Sequence, residues 1–353
     1  MPPELTVVLV VGERRERAAA ALASVLAQDG AAIEVVVCDC APHAPPLPSG
    51  VAGTSGLSAV SVGFADPGAG GGAEAAGAGH PAVRRVALPP GTTYAAAKAL
   101  GVRLAAAPVV AFLEEHCRVY AGWAAALVAA HRGPWAGVGA EVHNANPGVA
   151  RSRTVALMNY HPWLAPAPRR EHDMLPGHNS SFKRGVLLAY GDRLEALLRA
   201  EIALHTRLVR DGHRLLLEPA ARFEHLNDSR LASVLHSCFL FHRCYGPSRA
   251  EALGWSARRR AAYVAATPLV PLYFLARLLL VLARRRPRLL PAALGGAPFM
   301  LLVQAASAAG QAAGLLRGLG DAELRFTRYE LNAYRTPDGG RDEDPAGWRE
   351  ARS

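Results

Sequence analysis

Three ionisable residues in a row, Glu114, Glu115 and His116, directly follow the apolar run at 109–113. Two carboxylates and an imidazole at the exit of a buried strand can hold a divalent cation, and hard oxygen donors suit magnesium or manganese. A solvated polar strand end is the other reading of this triplet. Asp39 stands in the same relation to a second apolar run, 33–38, and Gly12 and Glu13 to a third, 5–11. Residues so placed would meet a ligand beyond the carboxyl ends of a parallel sheet. For Asp39 a turn-forming role is the alternative. His116, His178, His205 and His225 fit no HExxH helix motif, which leaves metal-dependent hydrolysis a minor alternative.

An alternation of strands and helices positions these residues. Residues 5–11 are apolar and β-branched, 14–28 have helical character, and 33–38 form a second apolar strand. Fully apolar strands joined by a helix imply a parallel sheet covered on both faces. Residues 42–82, dominated by Ala, Gly, Pro and Ser and including GAGGGAEAAGAG, carry too little large apolar surface to order firmly and read as a flexible insertion. A strand at 85–88, a turn at 89–91, a helix over 93–106 and a strand over 109–113 follow. A helix at 123–131 and a strand at 136–142 lead into a less regular stretch, 144–176, where acceptor-binding loops would fit. Helical periodicity returns over 193–210 and stops at Gly212; a short strand at 214–217 leads towards His225, and 229–245 is again helical.

From residue 261 the chain turns strongly apolar, with basic runs at 258–260 and 284–288 on its flanks and Arg277 inside the first stretch. The net charge of +10 is thus concentrated beside apolar sequence, which favours lipid headgroups over DNA. With no helix-turn-helix or zinc-finger signature, no nucleic-acid partner is expected. Two membrane crossings would strand the 284–288 cluster on the far side, so helices lying in the membrane surface over about 258–317 are expected, with a span by the uncharged stretch 289–316 as the alternative. Five cysteines, Cys38, Cys40, Cys117, Cys238 and Cys244, include no CxxC pair and read as reduced thiols. The opening MPPELTVVLVV has no basic leader and resembles a first strand more than a signal peptide, which places the protein inside the cell.

Five pieces in order resemble the family 2 glycosyltransferases: TVVLVVGERRERAAAALASVLAQ, IEVVVCDC, GTTYAAAKALGVRLAAAPVVAFLEEHC with the following GW, LPGHNSSFKRGVL, and EIALHTRLVRDGHRLLLEPAARFEH. The resemblance implies a GT-A fold: an α/β domain over 1–250, Rossmann-like, its mostly parallel sheet flanked by helices on both faces, followed by an apolar, membrane-associated helical region and polar tail over 251–353. It implies transfer of a sugar, with inversion, from a nucleotide-sugar donor to a glycan, lipid or other hydroxyl acceptor at the cytoplasmic membrane face, as in cell-envelope polysaccharide synthesis. Asp39 matches the acid that meets the nucleotide base, and Gly12 and Glu13 share its donor edge. Lys98 replaces an Arg that faces the diphosphate, with Ala99 where the family has Asn. Glu114, Glu115 and His116 replace the Asp-x-Asp element that holds magnesium or manganese, and His225 matches a position near that metal. His178, Asn179 and Ser180, followed by Phe182 and Lys183, match an acceptor-side loop. Glu201 falls on the second acid of the Glu-Asp pair, the catalytic base, with Ala200 at the first. The altered metal element and missing first acid leave open a catalytically degenerate nucleotide-sugar-binding or membrane scaffold protein.

Overall fold

The run LTVVLVV forms β1 (Leu5–Val11), buried along its whole length. Its β-branched side chains are stiff and suit a pleated surface covered on both faces. The helix α1 (Arg15–Leu26) returns the chain so that β2 (Ile33–Asp39) lies parallel to β1 with Val11 opposite Asp39. A computed structural model describes residues 1–45, 47, 60–61, 82–177 and 179–332. The stretch 42–82 therefore lies largely outside the described residues; within it β3 (Val60–Ser61) pairs in parallel with β4 (Ala82–Ala87), which pairs in parallel with β2.

Thr93 caps α2 (Tyr94–Leu104), its Oγ1 accepting the Ala96 N–H at 3.2 Å. Gly101 lies so close to the sheet that an added Cβ would stand 2.4 Å from Val8 Cγ1, so even alanine there would push α2 off β1. On the other side of β1 runs β5 (Val109–Glu114), also parallel. The chain continues through β6 (Cys117–Val119), α3 (Trp123–His131), β7 (Trp135–Asn144), α4 (Ala150–Tyr160) and β8 (Arg170–Glu171). Then come β9 (Ser180–Lys183), α5 (Arg184–Leu188), α6 (Arg193–Leu198), α7 (Glu201–Arg210) and β10 (Arg214–His225). The strand order is β3-β4-β2-β1-β5-β9-β7-β10-β6, with β9 antiparallel to both β5 and β7 and β8 antiparallel to β10.

The α/β expectation, with a parallel sheet and an apolar helical tail, holds. Three local expectations change. The stretch 144–176 contains α4, which escapes notice because its buried positions include the polar Ser152 and Thr154 beside Val155 and Leu157, so no large apolar stripe marks it. Residues 193–210 form two helices, because Ala200 adopts extended backbone and makes Glu201 the first residue of α7. The strand expected at 214–217 runs on to His225, carried past Glu218 by buried Ala221 and Phe223.

Contacts divide the chain into two compact units, Met1–Val142 with Ala165–Glu224, and His143–Leu164 with His225–Ser353. The sheet belongs to the first. The second is helical and holds α4, α8 (Leu231–Ala252), α9 (Ala257–Ala265), α10 (Val270–Arg285), α11 (Leu290–Arg317) and α12 (Ala322–Asn332), with α11 packed against α4, α8, α9 and α10 and α12 against α8. Leu157 of α4 is buried with Leu278, Leu282, Ala293 and Met300, and Val155 with Val234 and Val303. Contacts thus group α4 and α8 with the tail helices, whereas a division at residue 250 assigns both to the catalytic portion. Two helical stretches, Thr267–Arg285 and Pro287–Arg317, are long and apolar enough to cross a membrane, and within an apolar 18-residue segment of each only 11% and 17% of the residues are buried in the protein. One side of these stretches packs as core, through Leu278, Leu282, Ala293, Met300 and Val303, while Leu269, Leu272, Tyr273 and Leu280 stand exposed, with Arg277 exposed among them.

Candidate active site

Register alone brings the strand-end residues together. Val11 pairs with Asp39 and Val10 with Glu114, so Gly12, Asp39 and the triplet 114–116 emerge at one edge of the first unit. Their side chains then take different partners.

Asp39 is fully buried. Its carboxylate accepts from both terminal nitrogens of Arg15 at 3.0 Å, from Arg85 Nε at 2.8 Å and from the Ala41 N–H at 3.0 Å. A carboxylate offers about four acceptor positions, and here protein donors meet them, so that Asp39 positions two guanidiniums. Glu115 is likewise buried and accepts the Gly12 N–H at 3.0 Å while pairing with Arg17. It ties the exit of β1 to that of β5. Glu13 is over half exposed and lies 3.8 Å from His43.

Glu114 and His116 turn the other way from Glu115 and meet each other, Oε2 to Nε2 at 3.1 Å. Cys117 Sγ joins them: the three ligand atoms lie within 4.8 Å of one another, all on buried residues. His205, grouped with these histidines in the hydrolase alternative, sits elsewhere. It is fully buried on α7, stacked on Phe182 at 5.8 Å, and among the described residues neither ring nitrogen has a hydrogen-bond partner. Burial, and then the charge of Lys98, push its pKa down to about 3, so it is neutral. His225 closes β10 in the second unit, where its Nδ1 lies 2.9 Å from Asn227 Oδ1 and its ring meets Tyr160.

The least expected pairing joins residues 103 apart in sequence. Lys98, 2% exposed at its side chain, forms an ion pair with Glu201, which is 15% exposed. The Lys98 ammonium also lies 4.3 Å from the centre of the Tyr94 ring and 5.4 Å from that of Phe112. Phe112 and Glu114 are two residues apart on β5 and share a face, so the Lys98–Glu201 pair lies over the face of β5 that Glu114 continues. Gly177 makes room for it: a Cβ there would fall 2.9 Å from the Cβ of Glu201. Asn179 and Ser180 are buried, Asn179 Oδ1 accepting from Trp123 Nε1 at 3.2 Å and Ser180 donating to the Pro176 carbonyl at 2.5 Å, so both fasten the segment beside Gly177. His178 lies outside the described residues.

No family model and no curated protein matches the chain. Among solved structures it is similar to GalNAc-T7 with UDP, GalNAc and Mn2+, at 13% identity and a TM-score of 0.41, over 64% of this chain and 43% of that one. It is also similar to the mannosyltransferase PcManGT from Pyrobaculum calidifontis in complex with GDP-Man and Mn2+, at 16% identity and a TM-score of 0.47, over 91% of this chain and 88% of that one. The chain thus spans less than half the length of the GalNAc-T7 structure.

Sequence reasoning passed over Arg15, Arg17, Arg85, Gly177 and Cys117. The arginines were open to discovery: an acid at the end of a buried strand needs a cation, and GERRER, which follows β1 directly, carries three arginines, two of them, Arg15 and Arg17, in the first turn of α1. Gly177 carried no comparable signal, because its importance depends on where α7 begins.

Proposed function

We propose that the first unit is a nucleotide-sugar-dependent glycosyltransferase of GT-A type that transfers with inversion, with Glu201 as catalytic base. One observation carries this reading: the Lys98–Glu201 pair lies over the face of β5 that ends in Glu114, beside the strand ends where a parallel sheet binds ligands. Glu201 would take the acceptor hydroxyl's proton as its oxygen attacks the anomeric carbon and the nucleoside diphosphate departs. Lys98 holds that carboxylate in place. At the donor edge Asp39 would serve by fixing Arg15 and Arg85, whose charges suit a nucleotide's phosphates, and Glu115 by fixing Gly12. Asn179 and Ser180 would hold the acceptor-side segment. Glu114 and His116 have the donor atoms for a divalent cation, which when bound neutralises charge on the leaving diphosphate.

The second unit would hold the enzyme at the cytoplasmic membrane surface. Arg277 is exposed midway along Thr267–Arg285, and a charge facing lipid at the bilayer centre costs about 3 kcal/mol on insertion scales. Lying in the interface, the same helix would enter with Tyr273 and Leu280 while Arg277 and Arg284, on the same face, snorkel to headgroups.

The ion pair also favours a second reading, binding without turnover, because one Glu201 oxygen is already committed to Lys98. A panel of donor sugars, followed for transfer and for hydrolysis with wild type and Glu201→Gln, separates the two. Turnover by wild type that the variant loses while still binding nucleoside diphosphate supports the transferase. Nucleotide binding with no turnover of any donor supports the binding protein.

A further inference from the structure

Glu114 closes β5 and Cys117 opens β6, so the two-residue connection between them presents an oxygen, a nitrogen and a sulfur donor from positions 114, 116 and 117. Glu115, the second hard oxygen donor of the triplet, is committed to Gly12 and Arg17. The turn therefore directs a carboxylate oxygen away from the cluster and a thiol into it. All three cluster residues are buried, and their ligand atoms lie within 4.8 Å of one another. Oxygen donors suit magnesium, whereas imidazole and thiolate together favour zinc, with cobalt as its spectroscopic stand-in.

We infer that this turn is a mixed oxygen, nitrogen and sulfur site that takes zinc or cobalt in preference to magnesium, with Cys117 as a ligand. The inference rests on the transferase reading only for the cation's purpose. Binding forms a sulfur–metal bond and releases the thiol proton to solvent, with no change of oxidation state.

Cobalt chloride titrated into the full-length, phosphine-reduced chain under nitrogen tests this without any sugar donor. A near-ultraviolet sulfur-to-cobalt band should grow to saturation at about one cobalt per chain, be abolished by zinc and survive excess magnesium. Cys117→Ser should lack the band and bind zinc roughly tenfold more weakly or worse, while Cys40→Ser keeps both. Cobalt bound without that band in the wild type, a band that persists in Cys117→Ser, or displacement of cobalt by magnesium would overturn the inference. Should Cys117→Ser not fold, the wild-type spectrum and the magnesium competition still decide. Loss of the transferase reading would show in the donor panel instead and leave the cobalt spectrum untouched.

Discussion

In the first unit a long cationic side chain is buried and matched, Lys98 against Glu201, whereas in the second unit Arg258, Arg259 and Arg277 stand in solvent close in sequence to exposed apolar residues such as Leu269, Leu272 and Leu280. Charge hidden from water is expensive and persists only with a partner in place, and on that ground the first arrangement is the one we propose as a site. Apolar surface left in water beside positive charge is read the opposite way in our proposal, as a surface that a membrane would cover. Under the proposed function the same residue types serve chemistry in one unit and attachment in the other.

The largest expected effect breaks the first half of that contrast. Glu201→Gln should lower kcat by about 10²- to 10⁴-fold, the usual worth of a general base, and shift nucleoside diphosphate affinity by less than roughly threefold. A variant with wild-type kcat would remove Glu201 from the mechanism. Next comes stability. Glu201→Leu leaves the ammonium of Lys98 buried and unmatched, at a cost of about 3–5 kcal/mol, whereas Lys98→Met leaves a more exposed carboxylate at the start of α7 and should cost less. The double variant should recover most of the loss, and urea midpoints that simply add would show that the two side chains do not depend on each other.

The second half of the contrast is sharpened by replacing Leu272, Tyr273 and Leu280 together with serine. Partition onto anionic vesicles should fall roughly tenfold or more while nucleotide binding is unchanged. Equal partition would place the attachment surface elsewhere.

Near neutral pH the smallest effect is that of His205, which shows only as a slope on the acid side. His205 has a folded pKa of about 3 against an ordinary value near 6.5, so the unfolded chain binds the extra proton between those limits. Its contribution is complete above about pH 6.5 and is lost as pH falls towards 3. His205→Phe should flatten the acid limb of the stability profile, and a profile identical to wild type would show that His205 does not titrate differently on folding.

Much of the sheet was legible because β1, β2 and β5 are apolar runs that admit one interpretation, and the acids at their ends inherit their position from register. What those acids do was less legible. Asp39 and Glu115 read as ligand contacts, and the structure adds arginines on α1 and β4 as their partners, which come from folding rather than spacing. Lys98 and Glu201 were each singled out separately, but nothing local joins residues on different helices across 103 positions. Cys117 was read as one thiol among five, because which side chains a turn directs inward is not written in the order of its residues.

The early departure of the chain into the helical unit, at His143, has a practical corollary. Clipping the protein near residue 255 to obtain a soluble fragment would strip Leu157 of Leu278, Leu282 and Met300 and leave Val155 and Val234 without Val303. Such a fragment would expose a fresh greasy face and aggregate for reasons unrelated to lipid. Solubilisation is better pursued by recolouring the outer face of α10 than by cutting the chain.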